Sequence, residues 1–411
     1  MAATFWGKVY MKHRFAGELR QEPGGRCVFT YDPSYLADQQ PAIAFTLPLQ
    51  PSPHICERGL HPFFDNLVAE GWLRNAQARA LRVDASNRFA LLLKFGHDCA
   101  GAVSIIDPEP AAEPLVDHAD PAAAAALVSR SSLSGVQPKL LAVQDGKCFR
   151  PAGRDETSTL IAKLPSGALT DIVENEFLTT AANRALLPDD QIVDVRIGKL
   201  EGLDGQALLV QRFDRRRSGV KLHFEEFNQL LGRFSGDDKY EASYDDMGAF
   251  IRKTPGCWPV DAWRLYRRIL ACFLTGNTDA HLKNFAMFHT PEGLRLTPAY
   301  DLVAAALYPP YRSLALAVDR AINLKIEKLK PKHLIALGKA YGLGAPAIAD
   351  TIRSLDQRRA AAEKTVTAAA KQAGNESLGR QLLDFMERRW NGSFSLTGQV
   401  LSKKPSDDAD I

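Results

Sequence analysis

Apolar residues recur at Val260, Trp263, Tyr266, Ile269, Leu270, Phe273 and Leu274, the spacing of one face of a helix. The stripe stops at Gly276-Asn277, and a glycine in that place predicts a C-terminal cap. Directly after it comes GNTDAHLKNFAMF, Gly276 to Phe288, polar at first and then strand-like. An apolar helix of this length has to be buried against other apolar structure. It therefore delivers the polar loop to the mouth of a helical lobe.

The rest of the chain divides around that helix. Residues 1–108 read as a β-rich subdomain, with strands over Phe5–Tyr10 and Gly25–Tyr31 and helical runs over Phe63–Trp72 and Asp84–Leu93. A Pro/Ala/acidic stretch from Pro108 to Ala126 reads as a linker into a short helix. Residues 109–212 form an α+β region. A strand over Leu160–Leu164 is ended by Pro165, a helix spans Val173–Leu187, and strands follow over Ile192–Leu200 and Ala207–Phe213. Residues 213–395 are mostly helical, the last helix being Leu378–Trp390, and 396–411 is a polar, frayed tail. The fold class is α+β: a sheet lobe followed by a helical lobe, one way to make a cleft.

Composition removes several classes. The 411 residues are 45% hydrophobic and 24% charged, which excludes a disordered chain, a collagen-like chain and a coiled-coil rod. The net charge is only +3, so any nucleic-acid contact rests on a local basic patch. Six cysteines include no Cys-x-x-Cys pair, which argues for reduced thiols rather than a thiolate zinc cage. Neither a signal peptide nor a membrane span is evident, and the expectation is a soluble cytoplasmic protein.

Phosphoryl transfer accounts for the polar loop. Asp279 and Asn284 are five apart, and a second acid, Asp301, follows in LTPAYDL after a hairpin. One carboxylate can take the proton of an attacking hydroxyl, while an amide oxygen and a second carboxylate suit Mg²⁺, a hard cation. The same residues also suit a capped turn with Asx side chains on the backbone. His281 fits either a metal ligand or a brace for the loop. Lys163 lies in an apolar strand and needs a partner for its ammonium; the next helix carries Glu174 and Glu176 in VENEF. The Ser-rich turn SRSSLSGVQPKLLAV can cover phosphates with backbone N–H groups, though it matches neither Gly-rich loop pattern. VQRFDRRR, Val210 to Arg217, lies at the crossing into the helical part, and its arginines suit a solvated or ion-paired face. KIEKLKPKH, with Lys325, Lys328, Lys330, Lys332 and His333, could touch phosphate backbone or simply face solvent.

Taken together these residues resemble the HipA family, kinase toxins of bacterial type II toxin–antitoxin modules. SSLSGVQPKL, LIAKLP, VENEF, VQRFDR, GNTDAHLKNF and LTPAYD carry the resemblance in order from Ser131 to Asp301, and FFDNLVAEGWLR and GHDCAGAVSI resemble the family's N-terminal domain. The resemblance implies a two-lobed, protein-kinase-like serine/threonine kinase using ATP and Mg²⁺. It implies Asp279 as catalytic base, Asn284 and Asp301 as metal ligands, and Lys163, held by Glu176, on the ATP phosphates. Ser134, Gly135, Val136, Gln137, Pro138 and Lys139 would form the phosphate-covering loop, with Gln211, Arg212 and Phe213 as adenine hinge. His281, Leu282, Lys283, Asn284, Tyr300 and Asp301 would complete the nucleotide contacts. Ser132 matches the family's autophosphorylated serine, and Ser134 offers a second. Implied partners are a HipB-like helix-turn-helix antitoxin and operator DNA, with Lys330 and Lys332 as possible DNA contacts. The implied substrate is an aminoacyl-tRNA synthetase, glutamyl-tRNA synthetase foremost. Two alternatives stand beside this: a catalytically silent co-repressor scaffold, and a small-molecule kinase of the aminoglycoside or choline type.

Overall fold

In the computed structural model the described residues are 5–109, 115, 119–129, 132, 133, 135, 137–154, 156–216 and 218–402. They form two compact units, Met1–Thr170 with Asp194–Lys239, and Asp171–Val193 with Tyr240–Ile411.

The first unit holds two five-stranded antiparallel sheets. In one, β1 (Phe5–Met11), β2 (Arg14–Gln21), β3 (Cys27–Tyr31), β4 (His54–Cys56) and β5 (Val103–Ile106) run in the order β4-β3-β2-β1-β5. Burial along β1 alternates, with Val9 and Met11 turned inward, because successive side chains leave a strand on opposite faces. Phe63, Phe64, Phe89 and Phe95 from the flanking helices fill the core against Leu19 and Phe29. In the other sheet, β6 (Lys139–Asp145), β7 (Cys148–Pro151), β8 (Leu160–Lys163), β9 (Val195–Gly198) and β10 (Ala207–Gln211) run β7-β6-β8-β10-β9 over a core of Leu140, Leu141, Ala162 and Leu209.

Two expected helices change here. The run over Phe63–Trp72 splits into Pro62–Asp65 and Gly71–Leu81. Leu67 and Val68 donate back to the Phe64 and Asp65 carbonyls, which closes a turn between the two. The helix expected from Asp84 begins at Arg88 instead. Asp84 accepts from the Ser86 N–H at 2.8 Å and makes a turn of its own, and Asn87 caps the helix by accepting from the Ala90 N–H. The linker from Pro108 leads into a helix over Pro121–Val128, although residues 110–114 and 116–118 lie outside the described residues. Of the expected tail, 396–402 belongs to the helix Ser395–Ser402, and 403–411 lies outside the described residues.

In the second unit, helices Ile172–Leu186, Pro259–Thr275, Arg359–Ala373 and Glu376–Arg389 pack on one another. Tyr266, Ile269, Leu270, Phe273 and Leu274 are buried to within a few per cent, whereas Val260 at the start of the stripe is 37% exposed. Arg267 and Arg268 on the same helix are buried too, because Asp189 and Asp190 each grip one guanidinium with two oxygens at 2.6–2.7 Å. Strands Ala286–Thr290 and Gly293–Leu296 form the hairpin that follows the polar loop. Among the described residues no helix is long and apolar enough to cross a membrane, and all six cysteines are free.

Candidate active site

The helix Pro259–Thr275 ends at Gly276, whose φ of 81° is the left-handed conformation glycine adopts without strain. Asn277 then turns back. Its N–H bonds the Cys272 carbonyl at 2.8 Å, and its side-chain amide donates to the Asp301 carbonyl at 3.2 Å. Thr278 donates its hydroxyl to the Tyr311 carbonyl. With its neighbours fixed, Asp279 stands exposed at the crest of the loop. A single-turn 3-10 helix over Leu282–Asn284 follows. His281 caps it: Nδ1 accepts from the Lys283 N–H at 3.3 Å, while the His281 N–H donates to Asn284 Oδ1 at 2.9 Å. Within this unit, then, the histidine acts as a brace for the loop.

Asn284 also turns its Nδ2 to Asp301 Oδ2, so the amide and the second acid read from the sequence touch side chain to side chain. Asp301 itself sits at φ 57°, an uncommon conformation for a residue with a Cβ and one that clusters at functional positions. The backbone beyond it is clamped by Asn175, which accepts from the Ala304 N–H at 2.8 Å and donates to the Ala304 carbonyl. Tyr300 donates its hydroxyl to the Lys283 carbonyl at 2.8 Å and ties the two halves of the site together. Glu176 lies one residue along from the Asn175 clamp and is 1% exposed. Leu282 and Lys283 are buried.

In the first unit, Lys163 ends β8 and Lys139 begins β6, and the two are directly opposed across the antiparallel pair. Their side chains therefore leave the sheet on the same face. Both are buried. Gln137 donates to the Leu164 carbonyl at 2.8 Å, and Gly135 comes so near that a Cβ there would stand 2.5 Å from Lys139 Nζ. Pro138 lies between them, and its carbonyl accepts from the Leu164 N–H. Ser134 and Val136 lie outside the described residues. Ser132 is 6% exposed, with its hydroxyl donated to the Leu67 carbonyl.

At the supposed hinge, the N–H groups of Gln211 and Arg212 donate to the Asp194 and Thr159 carbonyls at 2.8 and 2.9 Å. Neither is therefore left for an adenine ring. Of the solvated or ion-paired face read for the arginines of VQRFDRRR, Arg212 and Arg215 take the ion-paired form, and they are buried with it. Arg212 and Arg215 are 4% exposed and share Asp98 and Asp214 between them, while Arg216 faces solvent and Arg217 lies outside the described residues. Asp214 also accepts from the Gly101 N–H at 2.9 Å. Burial pushes both carboxyls up, but the guanidinium groups of Arg212 and Arg215 more than reverse it and hold Asp98 well below, and Asp214 below, the usual carboxylate range. GHDCAG and QRFDR thus form one buried ionic lock. Lys330 and Lys332 are exposed beside His333, which is buried and whose Nδ1 accepts from the Lys330 N–H.

Two contributors escaped the sequence reading. Asn175 lay inside the VENEF motif, but only its glutamates were singled out. Tyr240, whose hydroxyl reaches Asp279 at 3.3 Å, lies in a polar stretch with no periodic or motif signal.

Comparison with known proteins gives the arrangement a context. A family model described as the HipA-like C-terminal domain matches residues 131–373, and one described as the HipA N-terminal domain matches 7–106. The serine/threonine-protein kinase toxin HipA of Shewanella oneidensis is 31% identical over 330 residues, 69% of this chain and 71% of its own length. The protein Y4dM of Sinorhizobium fredii is 32% identical over 358 residues, 81% of this chain and 85% of its own. In fold, the chain is similar to a chain of the solved Shewanella oneidensis MR-1 complex of HipA, HipB and operator DNA. The TM-score is 0.76 at 23% identity, over 96% of this chain and 99% of that one.

Proposed function

The chain belongs to the HipA-like family and is a kinase of that fold, and from this premise we propose that it is the ATP- and Mg²⁺-dependent serine/threonine kinase toxin of a type II toxin–antitoxin module. Asp279 accepts the proton of the attacking serine or threonine hydroxyl as its oxygen bonds the terminal phosphorus of ATP and ADP leaves. Asn284 and Asp301 are the oxygen donors suited to Mg²⁺, which would neutralise the phosphate charge. Lys163 and Lys139 would take the phosphate oxygens, and the loop from Gly135 to Pro138 would cover the phosphates. Catalysis here is mostly placement and charge, because the dissociative transition state asks the protein for little covalent chemistry.

The synthetase substrate, glutamyl-tRNA synthetase first among candidates, follows from the family. So do a HipB-like antitoxin and operator DNA as partners; the Shewanella oneidensis structure holds HipA with HipB and operator DNA. Lys330 and Lys332 offer phosphate contacts in such an assembly. Ser132 is the acceptor for autophosphorylation, with Ser134, two positions on in the sequence, as the second candidate. Its buried hydroxyl must first leave the Leu67 carbonyl. A phosphate of about −2 charge cannot return to that site, so the modified loop stays out and the kinase is switched off.

The observation that carries this reading is the side-chain contact of Asn284, five residues downstream of an exposed Asp279, with Asp301. ATP labelling of the purified chain and of host lysate tests it. Wild type should label itself and one dominant substrate, and Asp279→Asn and Asp301→Asn should label neither while unfolding at the wild-type temperature. Phosphoserine mapped to Ser132 or Ser134 separates this reading from a silent co-repressor scaffold and from a small-molecule kinase. Undiminished labelling by the Asp279→Asn, Asp301→Asn double variant would refute it.

A further inference from the structure

Tyr240 stands outside every motif of the site, in GDDKYEAS. Its hydroxyl donates to Asp279 Oδ1 at 3.3 Å. Its ring meets the His281 imidazole edge-on, with centroids 5.3 Å apart and planes at 76°. One side chain thus touches two residues of the same loop by two different chemistries, while remaining 41% exposed.

The two contacts do separable work. The terminal torsion of an aspartate is broad, and an exposed carboxylate samples many orientations. A donated hydrogen bond to one oxygen narrows that range and holds the carboxylate plane. The ring contact acts elsewhere. His281 Nδ1 accepts from the Lys283 N–H, so the imidazole is the cap of the turn that carries Asn284 to Asp301. A ring packed edge-on against that imidazole steadies the cap.

We infer that Tyr240 is a positioning residue for phosphoryl transfer, its hydroxyl orienting the Asp279 carboxylate and its ring bracing the His281 turn. The inference rests on the reading of Asp279 as the proton acceptor. It assigns the two halves of the side chain to different kinetic parameters. The hydroxyl acts on the group that takes the proton and belongs to kcat. The ring acts on the turn bearing Lys283 and Asn284 and so reaches nucleotide affinity as well.

The test compares the full-length wild type with Tyr240→Phe, Tyr240→Leu and Asp279→Asn. It reads kcat and KM for ATP, affinity for a non-hydrolysable ATP analogue with Mg²⁺, and melting temperature. Tyr240→Phe should lose roughly tenfold in kcat, the scale of one hydrogen bond to a charged group, with KM and analogue affinity within about twofold and an unchanged melting temperature. Tyr240→Leu should lose more in kcat and weaken the analogue as well. Full kcat in Tyr240→Phe overturns the inference. So does a loss of kcat that comes only together with lost analogue binding or a lower melting temperature, which would mark a merely structural tyrosine. Transfer that survives Asp279→Asn overturns the assignment of the base, and this inference with it.

Discussion

At the scale of single residues, the arginines of QRFDRR show how a charge changes meaning with burial. Arg212 binds Asp98, Asp214 and Ser158 from a side chain 2% exposed, and Arg215 completes the lock. Removing one partner leaves uncompensated buried charge, so Arg212→Met should cost about 3–5 kcal/mol in urea denaturation. The same change at exposed Arg216 should cost within about 0.5 kcal/mol. The acids set a pH dependence. Asp98 and Asp214 are held below their ordinary values in the folded chain, so folding binds fewer protons at these sites. Their contribution is fully present above the unfolded value of about 4 and is lost as pH falls below it. The melting temperature should therefore drop steeply on acidification below about pH 4, and Asp98→Asn should flatten that slope.

At the scale of elements, the end of the helix Pro259–Thr275 is where fold and chemistry meet. Gly276 needs φ 81°, and a Cβ there would stand 2.8 Å from the Phe385 ring. Gly276→Ala combines backbone strain with overpacking and should destabilise by about 2–4 kcal/mol. Because the loop bearing Asp279 starts at that residue, ATP labelling should fall with it. Gly374 caps the helix Arg359–Ala373 at φ 69° with nothing within 4 Å of its would-be Cβ, so Gly374→Ala should show only the backbone cost of about 1 kcal/mol and unimpaired labelling. Elements were legible from the sequence where their signal was local. The apolar stripe of Pro259–Thr275 and the run of Leu160–Lys163 were readable from their own residues. Strand β2 was not, because RFAGELRQ mixes a glycine and three charges among few apolar residues, and only its pairing with β1 and β3 makes it a strand.

At the scale of the whole molecule, ligands offer the readout. A ligand bound only by the folded chain stabilises it by about 2.7 kcal/mol at a hundredfold excess over Kd. Mg²⁺-ATP should accordingly raise the melting temperature of the wild type, and Lys163→Met should abolish most of that rise without lowering the ligand-free value by a comparable amount. In the proposed assembly with an antitoxin on operator DNA, Lys330→Ala with Lys332→Ala should weaken operator binding alike on all sequences. The slope of log affinity against log salt should shrink by roughly 2, near 0.9 per lost phosphate contact. An unchanged slope would remove both lysines from the DNA contacts.

The sequence alone indicated the family and the α+β class and singled out Asp279, Asn284 and Asp301, because the first two share one loop and the third follows the hairpin directly after it. What tertiary structure decided lies at long separation. Arg212 meets an aspartate 114 positions away, the Gln211 and Arg212 N–H groups are taken by the Asp194 and Thr159 carbonyls, and Tyr240 reaches Asp279 across 39 residues. Spacing and periodicity report only which side chains share a face of one element. Whether a charge is buried, or a hydroxyl already has its acceptor, depends on what another part of the chain brings to it.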